Sequence, residues 1–220
     1  MNGNNASNGN TGTITIGATG SQTALGTCTS ANSAHAWSNG KTGKYNASLN
    51  FDGTDDYVSN SSINLATPVT VSAWFKTNSF PAGSSTIFFH DSFDLSAQPF
   101  SSGGTNYVRL QSNDRYNPDS SVDLTGFTTG TWYHLVAIYG TTSITGYVNG
   151  VQNNTTSSTV DGAFSSSGSF YVGTQGASQR WFSGQIDDVR IYNYALTAGQ
   201  IKTLYNAGSA IRYGPSSGTP

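Results

Sequence analysis

Apolar and polar residues alternate in short runs along this chain, and this pattern predicts β-strands. In the clearest run, PVTVSAWFK, Val69, Val71, Ala73 and Phe75 share one face and the intervening residues share the other. The run WYHLVAIY is apolar on both faces, as a strand in the middle of a sheet would be. That run is Trp132–Tyr139, and further strands are predicted at Thr13–Ile16, Thr86–Phe89, Tyr107–Gln111, Ser143–Val148, Ser169–Gly173 and Gly184–Tyr192.

Two local signals fix connections between these runs. Asn149-Gly150 predicts a two-residue type I′ hairpin turn, because both central residues of that turn need positive φ. Thr197 followed by Gln200 predicts the capping box of one short helix, which Gly208 can end. Many short strands and a single helix near the C-terminus predict an all-β, two-sheet antiparallel sandwich.

Length and composition favour one large domain. The chain has 220 residues, of which 35% are hydrophobic and 12% aromatic, and this composition excludes a disordered protein. Residues 1–12 are low in complexity and are expected to form a flexible N-terminal segment. The domain is expected to span residues 13–213, and residues 214–220 resemble a linker.

Charge and composition narrow the class of partner. The net charge of −2 argues against a nucleic-acid surface, and no segment is long and apolar enough to predict membrane insertion. Cys28 is the single cysteine, so no internal disulfide can form. The many uncharged Thr, Asn and Ser residues favour a secreted or cell-surface protein.

An acidic cluster follows one strand. In SLNFDGTDDYVSN, Asp52, Asp55 and Asp56 fall within five residues of a chain that is only 9% charged. Calcium favours six to eight oxygen ligands from carboxylates, amides and carbonyls, so these residues predict a calcium site. A second pair, Asp187-Asp188, opens a late strand. The alternative is that these side chains cap turns by accepting backbone N–H groups. Zinc is not expected, because the single Cys and three His residues lack ligand spacing.

Several segments together resemble the concanavalin A-like, laminin G-like (type 3) domain of bacterial surface proteins, over roughly residues 48–206 and more loosely 8–47. The resemblance implies a jelly-roll sandwich, a structural calcium ion in many members, and glycan or glycoprotein binding in some. It also implies that the two acidic segments lie close together, which makes Asp52, Asp56 and Asp187 the expected calcium ligands. The segments are LNFDGTDDYV, VTVSAWFK, WYHLVAIYG, GYVNGV and FSGQIDDVRIYNYALTAGQIKTLY.

The chain departs from this family at its start, where members usually carry one more strand. Either that strand is missing or Ala210–Tyr213 takes its place. If neither holds, a sheet edge is open and invites pairing with another protein chain.

Sugar sites usually combine an aromatic face with a few polar groups, because pyranose rings have apolar faces and polar rims. Trp181 follows a polar stretch that includes Arg180, and it either recognises a ligand or covers the edge of the core. Trp74, Trp132 and His134 lie in regular strands, so core packing is expected for them, with a hydrogen-bonded ring for His134. The residues expected to bind a ligand are Trp181, Arg180, Tyr116, Arg115 and Asn113.

Catalysis is not predicted. All eleven acidic residues are Asp, so the Glu-x-Asp-x-x-Glu pattern of laminarinase-type sandwiches cannot exist here. No Gly-x-Ser-x-Gly nucleophile elbow is present either. The sequence therefore predicts a non-catalytic, calcium-stabilised carbohydrate-binding module of a larger protein. The alternative is a structural or adhesion domain of a surface or virion assembly that binds protein partners.

Overall fold

A computed structural model describes residues 43–45, 48–92, 94–112, 121–155, 165–176 and 179–206, together with the backbone of 13–16 and 20–23. Its strands are short and are followed by one helix, as the sequence predicts. The strands are β1 (Thr13–Ile16), β2 (Gly20–Thr23), β3 (Leu49–Asp52), β4 (Val58–Ala66), β5 (Val69–Thr77), β6 (Phe88–His90), β7 (Leu95–Ser102), β8 (Thr105–Gln111), β9 (Ser121–Leu124), β10 (Tyr133–Tyr139), β11 (Ile144–Val148), β12 (Val151–Thr155), β13 (Ser165–Val172) and β14 (Ser183–Tyr192); the helix is α1 (Ala198–Asn206).

The strands form two six-stranded antiparallel sheets, which confirms the predicted sandwich. The first sheet has the order β12-β11-β10-β5-β14-β3, and the second has the order β4-β13-β6-β7-β8-β9. β1 and β2 pair with each other in a separate hairpin. Neighbours in each sheet are often distant in sequence, so the strand order brings together residues that no local pattern connects.

The main core fills the space between the two sheets. Val69, Val71, Ala73 and Phe75 of β5 are fully buried there, as their alternation predicts. The second sheet contributes residues such as Leu110, which is also fully buried. Each large apolar side chain buried in this way contributes about 1.5–3 kcal/mol relative to an exposed one.

A second, smaller core covers the outer face of the first sheet. There Val136 and Tyr147 pack against Leu196 and against Ile201 of α1. Because this face is covered by the helix, its central side chains are buried on both sides of the sheet.

The capping signals of the helix are confirmed. The Gln200 N–H donates to the Thr197 hydroxyl oxygen at 3.3 Å, and the Thr197 N–H donates to Gln200 Oε1 at 2.8 Å. These reciprocal bonds form the predicted capping box. Gly208, the predicted end of the helix, and Ala210–Tyr213 lie outside the described residues.

The hairpin signal is confirmed as well, since Asn149 and Gly150 have φ of 52° and 78°.

The expectation of core packing for Trp132 is wrong: it precedes β10 and is only half-buried, with the Lys76 ammonium 5.2 Å from its ring. Trp74 is 1% exposed, but it lies under α1 rather than between the sheets. Within the described residues, the structure contains no helix with the length and apolarity needed to cross a membrane.

Candidate functional site

The acidic turn, residues 52–56, lies at the end of β3 on one rim of the sandwich. Asp52 pairs with Ser183 of β14, which fixes the turn against the strand that follows Trp181. Gly53 has φ of 89°, and a Cβ at this position would lie 3.0 Å from the Ser183 Cβ. Glycine is therefore required both by the backbone conformation and by the close approach of β14.

The acidic turn brings three carboxylates together. Asp52, Asp55 and Asp56 each offer an oxygen within 4.8 Å of the others. The Thr54 N–H donates to Asp52 Oδ1 at 2.7 Å, and the Asp52 N–H donates to Asp56 Oδ2 at 3.0 Å. These side chains thus cap the turn, which is the alternative to calcium binding raised from the sequence. Since a carboxylate has several acceptor sites, capping and metal ligation are compatible.

The structure does not bring Asp187 to the acidic turn. In the β3–β14 ladder, Ser183 faces Asp52 and Ile186 faces Leu49. Asp187 therefore lies four positions from Ser183, about 13 Å along the strand. It is 1% exposed on the outer face of the first sheet. The expectation that the two acidic segments lie together is not met.

A β-bulge explains where the second acidic pair points. Asp187 pairs with Trp74, and Arg190 pairs with Ser72. An advance of three residues along β14 therefore matches an advance of only two residues along β5. The extra residue, Asp188, has φ of 49° and accepts a hydrogen bond from Arg190 Nε at 2.8 Å. The bulge re-aims the strand at this point.

Asp187 belongs to what we call the buried polar cluster: Asp187, Trp74 and His134 on the outer face of the first sheet, together with Tyr205 of α1. The Trp74 ring lies 5.0 Å from the His134 ring and stacks on Tyr205 at 5.7 Å. The Tyr45 N–H donates to Asp187 Oδ2 at 2.9 Å. Burial lowers the pKa of His134 to about 4 and raises the pKa of Asp187.

Within this cluster, three polar atoms lack hydrogen-bond partners among the described residues. Trp74 Nε1, His134 Nδ1 and Asp187 Oδ1 are all buried without a partner. The hydrogen bond expected for the His134 ring is therefore absent at Nδ1. Because α1 and the segment that carries Lys44 and Tyr45 both pack on Trp74, the buried polar cluster supports the helix and offers no open surface to a ligand.

Trp181 lies beside the acidic turn and is half-buried. It begins what we call the aromatic strip: Trp181, Tyr57, Tyr171 and Phe89. Trp181 and Tyr57 have ring centroids 6.0 Å apart, and Tyr57–Tyr171 and Tyr171–Phe89 are each 6.2 Å apart. Because Tyr171 alternates with core residues of β13, the strip lies on the outer face of the second sheet.

Arg180, the other described residue predicted to bind a ligand, is exposed with φ of 55°. Its Nη1 donates to Gln98 Oε1 at 2.7 Å, and Gln98 Nε2 donates to the Ser96 hydroxyl at 2.9 Å. Gln98 is on β7, so this bond ties the loop before β14 to the outer face of the second sheet. The predicted Asn113, Arg115 and Tyr116 lie outside the described residues.

The sequence reasoning missed a second aromatic group on the same face, the hairpin patch: Phe100, Tyr107, Arg109 and Asp123. Phe100 of β7 faces Tyr107 of β8, and their rings stack 5.1 Å apart. The Arg109 guanidinium lies 4.8 Å from the Phe100 ring. Its Nε and Nη2 donate to both Asp123 carboxylate oxygens, at 2.8 and 2.9 Å. Alternation of Tyr107 and Arg109 along one strand was the available signal; the pairing with Phe100 needed the register.

The two antiparallel sheets form a lectin-like sandwich. A helix closes one outer face, and the other outer face carries half-buried rings beside an acidic rim. The chain belongs to the laminin G-like family described as the concanavalin A-like lectin/glucanases superfamily, whose sequence model matches residues 52–202. No curated protein matches the chain by sequence.

Solved structures share this fold. A native heptameric SAP-like pentraxin from Limulus polyphemus has a TM-score of 0.59 at 20% identity, covering 71% of this chain and 80% of that one. Domain 4 of AbnA, an extracellular arabinanase from Geobacillus stearothermophilus solved with arabinotriose, has a TM-score of 0.57 at 22% identity, covering 74% and 79%. The binding domain of botulinum neurotoxin serotype G has a TM-score of 0.60 at 12% identity, covering 92% and 48%. These likenesses establish the fold.

Proposed function

We propose that this domain is a non-catalytic carbohydrate-binding module of a secreted or surface protein, stabilised by calcium at the acidic turn. One observation carries the proposal: Trp181 packs on Tyr57 and is half-buried, so part of its ring is open to solvent next to the three carboxylates of that turn. An exposed ring face bordered by polar groups suits a pyranose ring, whose faces are apolar and whose rim carries hydroxyls.

The comparisons support the class of ligand. The arabinanase domain was solved with a bound trisaccharide, and the neurotoxin domain is a binding domain. Extending glycan binding to this chain rests on its own rings and polar groups, because the fold alone does not determine a ligand.

The donor set at the acidic turn suits calcium. Asp52, Asp55 and Asp56 supply hard oxygen ligands within 4.8 Å of one another, and carbonyl groups or waters would complete the six to eight that calcium takes. A bound calcium ion would offset the repulsion among the three carboxylates and hold the rim that carries Trp181. It would act as a structural ion, in agreement with a non-catalytic domain.

The glycan proposal is tested by array binding followed by titration calorimetry with the best ligand. Changing Trp181 to Ala should weaken binding at least tenfold, because about 1.4 kcal/mol of stacking and burial is lost. Tyr194→Ala is the matched control, since Tyr194 is 46% exposed on the strand-end segment before α1, away from the aromatic strip. Equal affinity of the Trp181 variant and the wild type would contradict the proposed site.

The calcium proposal is tested by thermal unfolding with and without a chelator. At calcium 100-fold above its dissociation constant, binding contributes about 2.7 kcal/mol, or roughly 5–10 °C in melting temperature. Asp55→Asn should abolish the calcium-dependent shift, whereas Asp187→Asn should retain it, because Asp187 lies about 13 Å from the turn. A melting temperature that is insensitive to calcium in the wild type would refute the metal site.

An adhesion domain that binds protein partners is the second candidate. It is favoured by the edge strand β12, which is exposed at all five positions and includes Val151, a large apolar residue that is 69% exposed. Within the described residues, β12 pairs only with β11. Exposed edges of this kind can pair with another chain. Light scattering that shows self-association, combined with an empty glycan array, would favour this candidate over the module.

A further inference from the structure

We infer that the recognition surface takes an internal stretch of an uncharged polysaccharide, which lies across the outer face of the second sheet from the aromatic strip to the hairpin patch. This inference rests on the proposed function and deepens it by naming the ligand class. It depends on two ring groups that share one face and on the charge around them.

The two ring groups lie too far apart for one sugar. Tyr171 on β13 and Tyr107 on β8 are separated by three strand spacings, about 14 Å. Tyr171 lies level with Phe89 and Ser96 across the sheet, and Tyr107 lies level with Phe100. Because Phe100 is four residues beyond Ser96 on β7, Tyr107 is offset from Tyr171 by about 13 Å along the strand direction. Tyr171 and Tyr107 are thus about 20 Å apart, a span of several sugar rings.

Both ends present rings that are partly open to solvent. Trp181 and Tyr171 are half-buried in the aromatic strip, and Phe100 and Tyr107 are half-buried in the hairpin patch, so each ring keeps part of its surface open to solvent. Each group is backed by a contact that fixes it: Tyr57 under Trp181 and the Arg109 guanidinium beside Phe100. Rings held in place before binding lose little conformational entropy when a ligand arrives.

The surface between the two ring groups is polar. Gln98 lies there, only 3% exposed, with the exposed Arg180 bound to its side-chain oxygen. Arg180 has further N–H groups in its guanidinium, which can donate to the hydroxyls of a chain passing over this point. An apolar platform at each end with hydrogen-bond donors between them matches the alternating apolar faces and polar rims of a glycan chain.

Charge on this face disfavours an acidic glycan. Arg109 is neutralised by its two-bonded pair with Asp123, which leaves Arg180 as the cation nearest the polar middle among the described residues. The acidic turn beside Trp181 carries three carboxylates, so even with a divalent cation bound it keeps a net negative charge. An anionic chain would be repelled at this end, and a neutral chain would not.

The test is calorimetric titration with neutral oligosaccharides of two and six sugars, using cello-, xylo-, manno- and arabino-series. The series that binds should do so at least tenfold more tightly as the hexamer, because the second subsite is then reached by the same molecule. Tyr107→Thr should abolish this gain in affinity and leave the dimer unchanged. Trp181→Ala should weaken both lengths, and Tyr194→Thr should weaken neither.

Three results would overturn the inference. The first is equal affinity of wild-type protein for dimer and hexamer, which would leave a single sugar site and keep the proposed function intact. The second is tighter binding of a heparin or hyaluronan hexamer than of every neutral hexamer. The third is no binding of any glycan on the array, which would also defeat the proposed function. Circular dichroism of each variant checks that the fold is retained.

Discussion

Acid should destabilise this domain through His134, and the effect can be isolated with His134→Gln. His134 is 2% exposed, with its ring 5.0 Å from Trp74 and 6.1 Å from Tyr205. Its backbone N–H is bonded to Asn149 at 3.0 Å, so the residue is fixed in the sheet. A proton can reach the ring only if an imidazolium is accommodated within the buried polar cluster.

The pKa of His134 is lowered to about 4, and burial is the main cause. The nearby Asp188 carboxylate favours the imidazolium, whereas the charges of Arg190 and Lys44 oppose it. The unfolded chain therefore binds a proton near pH 6.5 and the folded chain does so only near pH 4. Stability is lost as pH falls through this interval, and the loss reaches about 2 kcal/mol at pH 5.

The assay is urea unfolding of the wild type and His134→Gln at pH 7.5 and at pH 5. The wild type should lose about 2 kcal/mol more than the variant between the two conditions. The raised pKa of Asp187 has the opposite effect on stability, because protonation in acid removes its buried charge. Asp187 is present in both proteins, so its contribution cancels when their losses of stability are compared. Equal losses in the two proteins would show that His134 titrates normally and would refute the reasoning.

Two further predictions concern packing and capping. A Cβ on Gly146 would lie 2.7 Å from a Leu124 methyl and 2.9 Å from a Leu110 methyl, so Gly146→Ala should cost about 1–3 kcal/mol in urea unfolding. Gly83→Ala is its control, because a Cβ there meets nothing within 4 Å; equal costs would contradict the overpacking argument. Thr197→Ala removes the helix cap and should cost about 1 kcal/mol, and an unchanged melting temperature would show that the cap does not contribute.

Local patterns predicted the elements of this fold well. The alternation in β5 identified its core face, and the Asn149-Gly150 turn and Thr197 cap were confirmed because they depend only on residues close in sequence. Trp132 was misassigned to the core because its strand was expected to start one residue too early. At a strand end, an error of one residue in the predicted boundary is enough to assign a half-buried side chain to the core.

The site was predicted only in part, for a physical reason. Asp52, Asp56 and Trp181 lie at one rim because β3 and β14 are neighbours, whereas the resemblance implied only that the acidic turn lies near Asp187-Asp188. Asp187 lies away from the acidic turn because its position depends on the register of the β3–β14 ladder and on the bulge after it. Neither the register nor the bulge can be predicted from the local sequence pattern. The hairpin patch escaped notice for the same reason, since Phe100 and Tyr107 meet only through strand pairing.

The difference between the two outer faces of the sandwich decides where recognition can occur. On the first sheet, Tyr205 of α1 packs on Trp74 and His134, so these aromatic side chains stabilise the helix. On the second sheet, within the described residues, no helix covers Tyr171 and Tyr107, and their rings stay half-buried. Among the described residues, the aromatic platform open to a ligand on this face consists of those rings, because Ser96 and Gln98 between them are buried. The acidic turn lies at the edge of that face, where a bound calcium ion would stiffen the rim without occupying the platform.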